Sequence, residues 1–285
     1  MPQSNVSNSR VPANERAEGV VMHRLALLFV ASALWAAQPE PDDAQVWMKK
    51  GTEAFDSGHY AEAARDFEKA VARDPASMEA RLNLATSYFE QYIPGAHTPN
   101  NLDMARKTEE NFLKVLDFDA ENKSATAYLA RISFEEASAA VAPIERSEKY
   151  DQARDWYRKL AEIDPSEGEA FYNLALIDWV RACAQWKAIR AAAGMMPEDT
   201  RPLPASSRRA LESTRALFDD GIRQLEKAMH IDSGDSDAMG YMSLILREKA
   251  DLAAIPEDHQ RQIDEADAWM RRSSKIRQEQ AASQP

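Results

Sequence analysis

Five histidines, His23, His59, His97, His230 and His259, are the chain's candidates for metal ligation, and they lie far apart in the sequence. No pair has the H-E-x-x-H spacing that sets two imidazoles on one helical face around zinc. The stretch DSGDSDAMG (232–240) gathers aspartates as a calcium loop does, without that loop's ligand order, and reads instead as a turn. Cys183 is the single cysteine, which excludes an intramolecular disulfide or a multi-cysteine metal site. It has no histidine at a motif spacing and stands between Ala182 and Trp186, so it reads as a small core residue rather than a nucleophile. The acidic pairs Glu109-Glu110, Glu135-Glu136 and Asp219-Asp220 have the groups for acid–base work. Neighbours on a helix point in different directions, however, and these pairs read as solvated faces. There is no G-x-S-x-G, Walker phosphate loop or G-x-G-x-x-G. The expectation is a chain that is no enzyme, with no catalytic, cofactor-binding or metal-binding residues and no cofactor.

The vocabulary that must build the fold is helical: alanine is abundant, and Glu, Lys, Leu, Arg and Met are plentiful beside only 9 glycines in 285 residues. With 47 acidic against 35 basic residues the formal charge is −12, a sign that repels phosphate backbones, so no nucleic-acid partner is expected. MHRLALLFVASALWAAQPEPDD begins at Met22 with a short basic start and an apolar run from Leu25 to Ala37. That pattern reads as a signal peptide over 22–37, too short to span a bilayer, with a linker over 38–43; a buried helix is the alternative. Residues 1–21 are polar and aperiodic and read as a non-coding or disordered extension ahead of a true start at Met22. The expectation is a periplasmic or secreted protein with no stable membrane insertion after cleavage.

One phrase occurs twice. AVARDPASMEARLNLATSYF (70–89) and LAEIDPSEGEAFYNLALIDW (160–179) share seven of twenty positions, as Asp-Pro, Glu-Ala and Asn-Leu-Ala. Residues 44–77 carry Trp47, Gly51, Ala63, Phe67, Ala70 and Pro75, with small residues where two helices would cross closely and a proline to stop the second. This segment resembles the tetratricopeptide repeat, in its Trp-x3-Gly, Ala-x3-Phe and Asp-Pro spacings. Carried along the chain, the register gives units 44–77, 78–122, 123–167, 168–235 and 236–279, with 280–285 as a disordered tail. Two of the units are 45 residues long, so two units on the phrase recurs after ninety. The fold the resemblance implies is all-α, a right-handed superhelical array of about five helical hairpins, each contacting mainly its neighbours. The last helix, about 258–279, reads as an end cap whose inward stripe is Ile263, Ala266, Trp269 or Met270, and Ser273.

Extra residues fall between the paired helices at 91–101, 137–147 and within 180–213. The first is loop-like, with Pro94-Gly95 and Pro99-Asn100; the second lengthens a helix until Pro143. In the third, Trp179, Cys183, Trp186 and Ala193 recur at helical spacing until Gly194 and Pro197. A return helix from about Ser207 offers Leu211, Phe218, Ile222, Leu225 and Met229 on one face. This long helical hairpin reads either as padding for the core or as a docking arm.

The resemblance implies a non-enzymatic interaction scaffold of the periplasm or cell envelope that binds a protein or peptide through its concave groove, and through the projecting hairpin as a second surface. A peptide- or glycan-binding subunit of an envelope enzyme or assembly complex is the alternative. In the repeat's geometry, offsets 2, 5, 6, 9, 12 and 13 of each first helix face the groove. They make Lys49, Phe55, Asn83, Phe89, Tyr128, Arg131, Phe134, Asn173, Trp179 and Tyr241 the candidate contacts. Family members that grip a terminal carboxylate use Lys and Asn at fixed offsets, of which only Asn83 is present, so that ligand is not expected. The aromatic ladder Phe55, Phe89, Phe134, Trp179 reads either as packing beneath the next helix or as a groove floor.

Overall fold

The computed structural model describes residues 42–196 and 207–283. The N-terminal extension, the signal peptide and most of the linker expected from the sequence lie outside the described residues, as do residues 197–206. The described residues form ten helices and no strand. They are α1 (Ala44–Asp56), α2 (Tyr60–Arg73), α3 (Met78–Phe89), α4 (Pro99–Phe118), α5 (Lys123–Ala139), α6 (Pro143–Ile163), α7 (Gly168–Ala192), α8 (Arg208–Ile231), α9 (Ser236–Ala250) and α10 (Pro256–Ala282). Each odd-numbered helix pairs with the next, and each pair packs on the pair that follows, so five hairpins stack into a superhelical array. None of the described helices is long and apolar enough to cross a membrane.

The hairpins close at small residues. The eighth position of each first helix is Gly51, Ala85, Ala130, Ala175 or Ser243, all of them buried. The facing positions on the second helices, Ala63, Thr108, Ala153, Gly221 and Ala266, are buried as well. At Gly51 a Cβ would stand 2.6 Å from the Phe67 ring, and at Gly221 it would stand 3.4 Å from the Ala175 carbonyl oxygen, so these backbones are as close as side chains allow. Larger side chains fill the gaps between successive hairpins: Phe67 with Leu84 and Tyr88, Phe112 with Leu129 and Ile132, Tyr157 with Leu174 and Ile177, and Phe218 and Leu225 with Met242 and Ile245. The core is therefore a string of four clusters rather than one.

The turns between hairpins repeat an aspartate device. Asp74, Asp119, Asp164 and Asp232 each close a second helix, and each Oδ1 accepts the backbone N–H two residues on, from Ala76 (3.1 Å), Glu121 (3.2 Å), Ser166 (2.9 Å) and Gly234 (2.8 Å). The N-cap residue of the next helix stands three residues after the aspartate, and the side chains of Ser77, Asn122 and Asp235 cap their helices, whereas that of Glu167 does not. Sequence reasoning credited Pro75 and Pro165 with this turn; the aspartate occurs in all four turns and the proline in two. The 232–240 aspartates are explained by this use, since Asp235 caps α9 by accepting from Asp237 and Ala238.

The inserts lie on the edge where paired helices join. In the first, Asn101 pins the loop: its Nδ2 donates to the carbonyls of Ile93 (2.9 Å) and Ala96 (2.8 Å), and its Oδ1 accepts from the Ile93 amide (2.7 Å). In the second, α5 ends at Ala139 and α6 begins at Pro143, so the added residues lengthen both helices. In the third, α7 reaches Ala192 and Gly194 turns the chain with a φ of 64° that a side chain would resist. The base of this hairpin is core: Trp179, Cys183 and Trp186 pack in the cluster of Phe218, Leu246 and Leu252, and Arg215 donates to the Leu252 carbonyl. Burial pushes the Cys183 thiol up to about 12.

Two expectations are corrected. The final helix runs to Ala282, into the segment assigned to a tail, and of its two alternatives Trp269 packs inward while Met270 is exposed. Glu109 and Glu136 are not on solvated faces. They converge from α4 and α5 on Lys149 of α6, at 3.5 and 2.5 Å, with their side chains about a quarter exposed. Burial first, and then the charge of Glu136, pushes the Glu109 carboxyl above its usual range.

Ala85→Leu and Ala175→Leu are each expected to destabilise the fold by about 1–3 kcal/mol through overpacking, read as lower thermal midpoints. Replacing 187–213 by a short Gly/Ser turn is expected to leave a cooperatively folding helical protein, because the contacts of Trp186 and Arg215 stay outside the cut. Loss of the cooperative transition would place the outer hairpin in the core.

Candidate functional site

The ten candidate contacts divide by how packing uses them. The ladder rings are committed to other rings. Phe89 is 5% exposed and meets Tyr128 of the next hairpin edge-on at 5.0 Å, and Trp179 meets Tyr241 in the same manner at 5.7 Å. Phe55 packs edge-on with Tyr60 at 5.2 Å and Phe134 with Tyr150 at 5.8 Å, each within its own hairpin. Offset-12 rings therefore serve as spacers between helices, with Tyr128 also stacked on Phe112 at 4.9 Å. Arg131 covers the Phe89 face at 4.8 Å and pairs with Glu135 at 3.1 Å.

The asparagines are not equivalent. Asn173 is 8% exposed and its Nδ2 donates to the Glu169 carbonyl one turn earlier at 3.0 Å, which leaves one N–H and the Oδ1 acceptor on a nearly covered side chain. Asn83 is half-buried, and its side-chain amide has no hydrogen-bond partner among the described residues. Lys49 stands on the exposed first hairpin, 3.7 Å from Glu53.

Between the third and fourth hairpins the inner face opens into a cleft of about 180 Å³. Ala127, Tyr128 and Arg131 of α5 form one wall, Tyr157 and Leu160 of α6 the floor, and Glu167 with Glu169 at the start of α7 the other wall. Glu167 is taken up by Lys123 at 2.7 Å, and Lys123 also holds Asp164 at 2.6 Å. Burial foremost, and then the charge of Glu90, pushes the Tyr128 hydroxyl up; burial and then Glu169 do the same to Tyr157. Both phenols are thus neutral at physiological pH. Sequence reasoning placed Tyr128 and Arg131 here and missed Tyr157, Leu160 and Glu169. Glu169 occupies offset 2, an inner-facing position, so a signal for it was present. Tyr157 holds the aromatic position of the Ala-x3-Phe spacing, which signals packing and not a groove contact.

Among the described residues no group of three or more His, Cys, Asp or Glu side chains is arranged to hold a metal ion. What this face offers is shape, rings and hydrogen-bonding groups.

A tetratricopeptide-repeat family model matches residues 48–98. No curated protein matches the sequence. Solved structures similar to the chain include the MamA RS-1 ArsTM double mutant, 13% identical with a TM-score of 0.56, over 86% of this chain and 100% of that one. MamA 41-end from Desulfovibrio magneticus RS-1 is 13% identical with a TM-score of 0.55, over 85% and 99%. MamA MSR-1 C2 is 14% identical with a TM-score of 0.51, over 83% and 98%. At this identity the likeness is one of fold.

If the ladder is packing, Phe89→Ala should cost about 3–5 kcal/mol of stability, while Asn83→Ala should leave the melt within about 0.5 kcal/mol of wild type. Equal melts for the two variants would return Phe89 to the open groove.

Proposed function

We propose that the chain, an array of tetratricopeptide-like repeats, is a non-enzymatic scaffold of the cell envelope that binds an extended segment of a partner protein along its inner face. The observation that carries this reading is the division of labour among the inner-facing residues. Packing consumes the ladder rings, yet Asn83 and the Tyr128–Tyr157–Glu169 cleft are left with unused hydrogen-bonding groups and surface. An extended peptide has unpaired backbone amides and carbonyls at regular spacing, which suits isolated amides and phenols set along a groove. The same division weighs against a glycan ligand, because each ladder ring is engaged by a tyrosine at an edge-on angle and so is spent on packing rather than on stacking a sugar. The base of the α7–α8 hairpin is packed against the last repeat, which supports the inner face rather than the hairpin as the main binding surface.

Export is supported by the apolar run from Leu25 to Ala37 behind Met22 and His23-Arg24. N-terminal sequencing of the protein recovered from its own cells should give a mature start between Ala33 and Gln38. Full-length protein confined to the cytoplasm would overturn this part of the proposal. For binding, affinity capture of the mature protein from the envelope, followed by mass spectrometry, identifies the partner. Asn83→Ala should then weaken that partner about two- to tenfold, the worth of one hydrogen bond, with an unchanged melt. Wild-type affinity in Asn83→Ala would sink the groove reading.

A further inference from the structure

The third repeat departs from its neighbours at one buried position. Where the first and second repeats have Phe67 and Phe112 and the fourth has Leu225, the third has Tyr157, which is 3% exposed. Its ring does the same packing, within the cluster of Leu160 and Leu174. The added hydroxyl has no hydrogen-bond partner among the described residues, although Tyr157 forms the floor of the 180 Å³ cleft. Packing does not require the hydroxyl, since phenylalanine fills the same position in the first two repeats, and it is left available at the cleft.

Charge in the cleft is left over with one sign. Arg131 is paired with Glu135, and Lys123 with Asp164 and Glu167. Glu169 has no ion pair or side-chain hydrogen bond among the described residues, and neither has Glu90, whose charge is felt at Tyr128 and Glu135. The rest of the lining is Tyr128 with Ala127 on one wall and Tyr157 with Leu160 on the floor. A cation set between phenol rings gains from their negative faces, and a planar guanidinium also stacks and forks onto a carboxylate, which an ammonium does not.

Resting on the groove reading above, we propose that this cleft is the receptor for an arginine side chain of the bound segment, with Glu169 as its counter-ion, the Tyr128 ring as one wall and the Tyr157 hydroxyl on the floor as a hydrogen-bond acceptor for its N–H. The partner segment is therefore basic.

The test uses the purified chain and three fluorescein-labelled peptides of equal length, in which Leu alternates with Arg, with citrulline or with Glu. Citrulline keeps the shape of arginine without its charge. The Arg peptide should bind about tenfold or more tightly than the citrulline peptide, the worth of a charge-assisted hydrogen bond, and the Glu peptide most weakly. Glu169→Gln should remove most of the preference of Arg over citrulline. Tyr157→Phe, which restores the residue of the first two repeats, should weaken the Arg peptide several-fold with an unchanged melt. Glu257→Gln, an exposed acid on the first turn of α10, should have no effect. Equal binding of Arg and citrulline peptides, or an equal loss in Glu257→Gln and Glu169→Gln, overturns the arginine receptor. If those two peptides bind alike and both weaken in Asn83→Ala, the groove stands and only the receptor falls. If no peptide binds and Asn83→Ala holds the captured partner at wild-type affinity, both fall.

Discussion

Everything in this molecule follows from how closely two helices approach within a hairpin. Gly51 leaves no room for another carbon atom against the Phe67 ring, and Gly221 stands within van der Waals reach of the Ala175 carbonyl. Small buried residues recur at the same two positions in all five hairpins. A close crossing sets the angle between paired helices, and a repeated angle makes the stack curve with a constant sense. It also separates the duties of the two helix faces. Residues around the crossing hold the hairpin together, large residues flanking it bind the next hairpin, and the inner positions of the first helices are released from structural work wherever the ladder rings do not need them. An array held in this manner tolerates added length only at its edges, which is where all three inserts lie.

Polar groups reinforce the stack by joining one hairpin to the next. The aspartate at the end of each second helix orders the turn into the following first helix by accepting the amide two residues on, so four successive junctions share one geometry. Lys123 ties two such turns together through Asp164 and Glu167. Arg154 of α6 meets the buried Asp178 of α7 at 3.0 Å, and Lys149 gathers Glu109 and Glu136 from two other helices. Breaking such a pair strands a partly buried charge, which makes these contacts more valuable for holding the order of hairpins than for net stability. The basic side chains of the inner face are consumed in such pairs while several acids are not, and this asymmetry gives the groove its sign.

The fold was legible in the sequence because its determinant is local and repeated. Small residues at fixed offsets, Ala-x3-Phe and the Asp-Pro phrase each report a backbone constraint that acts within one hairpin or one turn. Repetition supplied the register even where single positions vary, as at Thr108 and Ser243, which replace the usual Ala. The inner-face offsets were legible on the same basis, and they included Glu169.

What the amino-acid order alone determined is therefore the helical class, the hairpin register, the crossing points and the places where length was added. Tertiary structure decided which inner-facing residues are consumed by packing. Phe89 and Trp179 share an offset with candidate groove residues, yet each is taken up by a tyrosine of the next hairpin. Asn173 has the same register position as Asn83, but its amide is bound to its own helix. The convergence of Glu109, Glu136 and Lys149, and the opening of a cleft beside Tyr157, depend on helices that meet only after the hairpins stack. Offsets within one helix state the direction a side chain takes; whether it ends against a ring, a charge or open space is set by the neighbouring hairpin, whose distance and angle no single repeat encodes.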